Sequence, residues 1–181
     1  MNEALAAYFL EDALAVFRKY QKLGEGAMAQ LGDEEFFARI DAEANSVAVI
    51  VKHLAGNMRS RWSDFLTADG EKPDRDRDAE FQLAPETTRA EVMSWWEAGW
   101  GCLFAAVEPL TPSDLARTVT IRGEPHMVVK AINRQLTHYA YHVGQIVVLA
   151  KHFKASDWES LSIAPGASEA FNQSMRNTSS R

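Results

Sequence analysis

The sequence predicts an all-α domain built as a four-helix bundle, and three observations lead there. Four long segments repeat apolar residues at three- and four-residue spacing, the period of a helix that buries one face. Only one short stretch, Thr118 to Pro125, alternates in the manner of a strand. The chain has 181 residues, 46 % of them hydrophobic, with five Trp and nine Phe, which is enough to enclose one sizeable core. Residues 1–172 therefore read as a single domain and residues 173–181 as a disordered tail.

From Asn2 to about Gln30 the first helix places Leu5, Tyr8, Phe9, Ala13, Val16, Phe17, Tyr20 and Leu23 on its apolar stripe, with Gly24 and Gly26 weakening its far end. Gly32 to Phe37 reads as a loop or a short extra turn whose aromatics dock on the core. The second long helix begins at Asn45 or Ser46, both good N-caps, and runs to about Thr67. Its buried stripe is Val47, Ile50, Val51, Leu54, Met58, Trp62 and Phe65, and His53, Asn57 and Arg61 line one flank. Ala68 to Pro85 is charged and poor in apolar residues, so it is expected to be a long exposed loop, a type that is often functional or mobile. Thr88-Arg89-Ala90-Glu91 matches a capping box and opens the third helix, which runs past Trp95, Trp96 and Trp100 to about Val107, ahead of Pro109 and Pro112. Thr118 to Pro125 makes a short β-hairpin arm before the last long helix, Met127 to Phe153.

A net charge of −6 argues against general nucleic-acid binding, which needs a basic surface to displace counterions. No apolar run approaches the roughly 20 residues that span a bilayer, and no cationic N-terminus precedes a secretory core. A single cysteine, Cys102, excludes an internal disulfide framework. The expectation is a soluble cytoplasmic protein.

The last long helix carries the chemistry. His138 and His142 lie four residues apart, about 400° of rotation, so the imidazoles stand one turn apart on nearly the same face. Their stripe, with Ala131, Gln135 and Gln145, runs beside the core stripe Val128, Ile132, Leu136, Tyr139, Val143 and Ile146, and so points inward. A lone histidine on such a flank is ordinarily satisfied by a carbonyl or water. Two of them need partners, since a buried polar group without one costs roughly 1–3 kcal/mol. One metal ion would satisfy both, with His53 as the third ligand from the facing helix. His126 lies only at the mouth of the helix and His152 on its outward face.

No Glu separates the two histidines, so the zincin pattern is absent, and there is no Glu-x-x-His pair of the di-iron bundles. A three-imidazole set suits a divalent zinc, nickel or iron ion. Asn57, Arg61 and Gln135 are candidates for orienting a ligand, or, for Arg61, for neutralising an anionic substrate.

Lys52-His53-Leu54-Ala55-Gly56-Asn57-Met58-Arg59-Ser60-Arg61-Trp62, with Asp69-Gly70-Glu71-Lys72-Pro73 and Gln135-Leu136-Thr137-His138-Tyr139-Ala140-Tyr141-His142-Val143-Gly144-Gln145-Ile146, resembles the DinB-like superfamily, and within it a bacterial branch without an assigned function. The likeness runs from the first helix to about Phe171. It implies an up-down-down-up four-helix bundle, often a homodimer, with a divalent metal on His53, His138 and His142. Similar proteins include YfiT-type metal-dependent hydrolases and thiol-dependent transferases that use a low-molecular-weight thiol. Two functions stand open on this reading: a metal-dependent hydrolase or thiol transferase acting on a small molecule, or a non-catalytic protein in which the metal staples helices around a ligand cleft.

Overall fold

Asn2 caps the first helix, its side-chain oxygen accepting the Leu5 amide at 3.0 Å. The structure is a computed structural model that describes residues 2–179. Among these residues the chain is mainly helical, with one two-stranded sheet. The first helix, α1, spans Glu3–Ala29 and runs through both glycines, because a side chain at Gly24 would collide with the Trp96 ring. Its buried residues are Ala6, Leu10, Ala13, Phe17, Gly24, Ala27 and Met28; Leu5 and Tyr8, expected on the inner stripe, are exposed. The small Ala6 and Ala13 thus lie on the buried face of α1, which packs against the last long helix.

A five-residue helix, α2 (Asp33–Phe37), fills the segment expected to be a loop or extra turn and buries Phe36 completely. The next helix, α3 (Val47–Trp62), starts on the Ser46 cap as expected but stops five residues short of Thr67. Two local events end it. The Ser63 hydroxyl donates to the Arg59 carbonyl at 2.7 Å, competing with the helix ladder, and Asp64 turns to φ +50°, the left-handed region. Helix α4 (Arg89–Val107) begins where Thr88 accepts the Glu91 amide. The hairpin is present: β1 (Thr118–Ile121) pairs antiparallel with β2 (Glu124–Met127), and Val119 faces His126 across the ladder. Its turn residues Arg122 and Gly123 both have positive φ, 56° and 75°, the geometry that matches strand twist in a two-residue turn.

Helix α5 (Val128–Lys154) follows the hairpin without a break. Beyond it the described part of the expected tail is helical, as α6 (Ser168–Ser179), with Phe171 and Met175 one turn apart and about half exposed. The remainder of that expectation, residues 180 and 181, lies outside the described residues.

Helix α3 packs on α4, α1 packs on α5, and α3 also meets α5. One ring from each long helix meets at the centre. Phe17 of α1 sits 6.1 Å from Trp62 of α3, 6.5 Å from Trp100 of α4 and 5.9 Å from Tyr139 of α5. All four are fully or almost fully buried. Edge-on aromatic pairs add roughly 0.5–1.5 kcal/mol each beyond their burial, so this cluster fixes how α3 and α5 face one another. That facing positions the histidines. Among the described residues no helix is long and apolar enough to cross a membrane.

Candidate metal centre

His138 and His142 flank Tyr139 and Val143, both completely buried, so the core itself turns their face of α5 towards α3. His53 comes from α3 between Val51 and Leu54, also completely buried, and is 4 % exposed. One ligand atom from each of the three imidazoles can be chosen so that all lie within 4.8 Å of one another. The Nε2 atoms of His53 and His138 approach to 3.4 Å.

The His53 ring is held on two sides. Its Nδ1 faces Glu80 Oε2 at 2.9 Å, and Phe81 stacks on it with centroids 4.7 Å apart. Both residues come from the loop expected to be exposed. A 3-10 turn, Ala79–Phe81, folds back over α3, its first amide capped by Asp76 at 3.0 Å. Arg75, from the same loop, clamps the carboxylate, donating from Nε to Oε1 at 2.7 Å and from Nη2 to Oε2 at 2.9 Å. Glu80 lies so close to α3 that a Cβ on Gly56 would run into its carboxylate. Burial works to raise the Glu80 carboxyl, but the hydrogen bonds from His53 and Arg75 outweigh it and hold the group below its usual range.

An ionised carboxylate only accepts, so Glu80 holds a proton on His53 Nδ1, and in the neutral ring this leaves Nε2 as the lone-pair nitrogen facing His138. At His142 the Nδ1 meets Gln145 Oε1 at 2.8 Å, which again leaves Nε2 free. Burial first, then the neighbouring His142 and His53, push His138 down to about 3, so it is neutral at pH 7. His142 is lowered as well, mainly by burial. A neutral ring with a free Nε2 is the ligand form of histidine, and His142 presents it. The donor set fits a divalent ion: two nitrogens on one tetrahedral zinc at about 2.05 Å stand about 3.3 Å apart, close to the 3.4 Å found between His53 and His138. A carboxylate behind a ligating histidine is the usual support for such a ring.

The three rings open on a cavity of about 600 Å³ that Asn57, Arg61 and Gln135 also line, so the structure brings every candidate residue to one place. The amide of Asn57 has a defined orientation. Trp62 Nε1 donates to the Tyr139 hydroxyl at 2.9 Å, and the hydroxyl spends its single proton on Asn57 Oδ1 at 3.2 Å, which turns the Asn57 NH₂ away from that chain. His126 is elsewhere, buried on β2, and His152 is exposed at the end of α5. Trp96 and Trp100 are core residues, and half-buried Trp95 lies under Lys52, whose ammonium is 5.6 Å from the ring centre.

Glu80, Arg75 and Phe81 are the site residues that sequence reasoning passed over. They sit in a charged run with no helical period, so no spacing connects them to His53. The one available signal was the Glu80-Phe81 pair, where an aromatic interrupts a solvated stretch.

The family model described as "Protein of unknown function (DUF1572)" matches residues 4–167. Comparison with curated proteins gives no match.

Proposed function

The chain belongs to this family of unknown function, and from that premise we propose that it is a divalent-metal protein acting on a small molecule, as a hydrolase or a thiol-dependent transferase. The single observation that carries the proposal is the convergence of His53, His138 and His142 at the mouth of one cavity, with the His53 proton held away from it by Glu80. His53, His138 and His142 would hold the ion, zinc or nickel first and iron next. When bound, such an ion supplies Lewis acidity towards an oxygen or sulfur of the ligand. The chain's own residues do the rest. Glu80 and Gln145 keep protons on the far nitrogens of His53 and His142. Phe81 closes one face of the His53 ring. Asn57 offers an N–H donor, held by Tyr139 and Trp62.

The proposal includes the finer architecture. The four long helices α1, α3, α4 and α5 form an up-down-down-up bundle of the DinB-like kind, a cytoplasmic homodimer. What supports it is the central aromatic contact shared by all four helices and the hairpin leading into α5.

The test is elemental analysis of protein prepared without a polyhistidine tag. One divalent ion per chain, lost when His138 and His142 are both changed to alanine, is the expected result. Substoichiometric metal that the double variant leaves unchanged would remove the proposal. Turnover on ester, amide and thiol-transfer panels then separates an enzyme from a protein in which the ion only staples α3 to α5.

A further inference from the structure

The cavity beside the histidines is lined by five arginines, Arg61, Arg75, Arg77, Arg122 and Arg134, and by no carboxylate, in a chain whose net charge is −6. Two of the five are already neutralised from behind. Arg75 is clamped by Glu80 and also reaches Glu71 at 2.9 Å, and Arg122 reaches Glu71 at 3.3 Å. Arg77 lies over the Phe81 ring.

Arg61 is different. Its side chain is 3 % exposed, and neither Nε nor Nη1 has a hydrogen-bond partner. Its remaining nitrogen, Nη2, stands 3.9 Å from Glu71, too far for a hydrogen bond. The ordinary account of a buried arginine, a hydrogen-bonded salt bridge, is therefore only partly met: Glu71 stands at the edge of ion-pair range, and the same oxygen already accepts Arg75 at 2.9 Å. A buried cation with unpaired N–H groups is costly, and the fold goes to some length to keep this one in place. Gly70 packs so tightly on the guanidinium that a Cβ there would stand 2.6 Å from Nη1. Gly70 is itself pinned, its amide donating to Thr120 at 2.8 Å and its carbonyl accepting from Ser60 at 3.1 Å. Next to it, the Asp69 carboxylate accepts the Arg122 and Gly123 amides of the hairpin turn, each at 2.8 Å.

A second guanidinium, Arg134 on α5, adds repulsion to the burial that already lowers Arg61 below its ordinary value. Both arginines line a cavity whose walls carry no carboxylate, so an anion from outside would satisfy them. Gln135, the neighbour of Arg134, is 1 % exposed and lines the same space.

We propose that Arg61, with Arg134 at the rim and the Asn57 amide beside it, binds an oxyanion: a carboxylate or phosphate group on the small molecule whose other end reaches the three histidines. His53 and Arg61 are eight residues apart on α3, about 12 Å along the helix axis, which sets a ligand of small-metabolite length. The oxyanion site stands on the arginines alone. Only the statement of which end reacts rests on the metal reading above.

Calorimetric titration of inorganic phosphate and of glutarate tests it, into the full-length protein both as purified and after chelator treatment. Chelated wild type is expected to bind at least one of the two at millimolar concentration or better, and the tighter probe identifies the group. Arg61→Met should weaken that binding by about tenfold or more, the loss typical of a charge-assisted hydrogen bond. It should leave metal stoichiometry unchanged and the Tm equal or higher, because it removes a buried charge whose N–H groups are unpaired. Binding of neither probe to the chelated wild type would overturn the proposal, as would an R61M variant that binds as wild type does. Should R61M fold poorly, exposed Arg134→Gln decides: weaker binding supports the proposal, and unchanged affinity overturns it. Failure of the metal reading looks different, namely no metal in the wild type with anion binding intact.

Discussion

Changing Glu80 to Gln probes the centre through a residue that is not itself one of the three proposed metal ligands. The carboxylate has three tasks divided between two oxygens: Oε2 faces His53 Nδ1 and Arg75 Nη2, both at 2.9 Å, and Oε1 accepts Arg75 Nε at 2.7 Å. An amide retains one acceptor. If its oxygen stays towards His53, its NH₂ faces the Nε–H of Arg75. If it flips, the NH₂ faces His53 Nδ1 and drives the ring proton onto Nε2, the nitrogen that points at His138. Both orientations also remove a negative charge from behind the site. Loss of such support typically weakens metal binding 10–100-fold, about 1.4–2.7 kcal/mol. Arg75, whose side chain is 5 % exposed, keeps its 2.9 Å contact to Glu71 and one bond to the amide oxygen but loses the other and the charge, so stability should fall too. Breaking a buried pair costs about 3–5 kcal/mol, and the surviving contacts reduce this to about 2, a Tm lower by about 4–8 °C. Competition with a chromogenic chelator gives the affinity and calorimetry the melting point. A cooperatively folded E80Q variant that binds zinc and nickel within twofold of the wild type would refute the reasoning.

Three further outcomes follow from the same geometry. Gly-to-Ala changes inside helices ordinarily stabilise by about 0.5–1 kcal/mol, and Gly144→Ala, with nothing within 4 Å, should raise the Tm. Gly56→Ala should do the opposite and weaken metal binding, because its Cβ meets the Glu80 carboxylate; equal stabilisation by both would contradict the packing. Tyr139→Phe strands the buried Trp62 N–H and frees the Asn57 amide to turn, at a cost of about 1–3 kcal/mol in a urea melt, while metal stoichiometry stays at the wild-type value. For pH, His138 is depressed to about 3 in the folded chain against about 6.5 unfolded, so the unfolded state takes up the proton first. Metal-free protein is therefore fully stable with respect to this group above pH 6.5 and loses stability as pH falls from there towards 3. His138→Gln should flatten the Tm–pH curve in that window, and an unchanged slope would show that His138 does not titrate as its burial requires.

The sequence by itself determined the helices and their caps, because those signals are local. Ser46 and Thr88 each cap the helix their position predicts, and the i, i+4 pair His138 and His142 needs only the pitch of one helix to share a face. The inward flank of α3 was equally legible, since Val47 to Trp62 alternate at helical period and His53 stands beside them. Tertiary structure decided the rest. That His53 meets His138 at 3.4 Å depends on how Phe17, Trp62, Trp100 and Tyr139 settle against one another across four helices. The charged loop shows the difference most clearly. Nothing periodic ties Glu80 to His53 or Gly70 to Arg61, and a run of Asp and Arg reads as solvated until the chain folds back on itself. Only then does one carboxylate fix a histidine proton while one arginine is left buried with N–H groups unpaired.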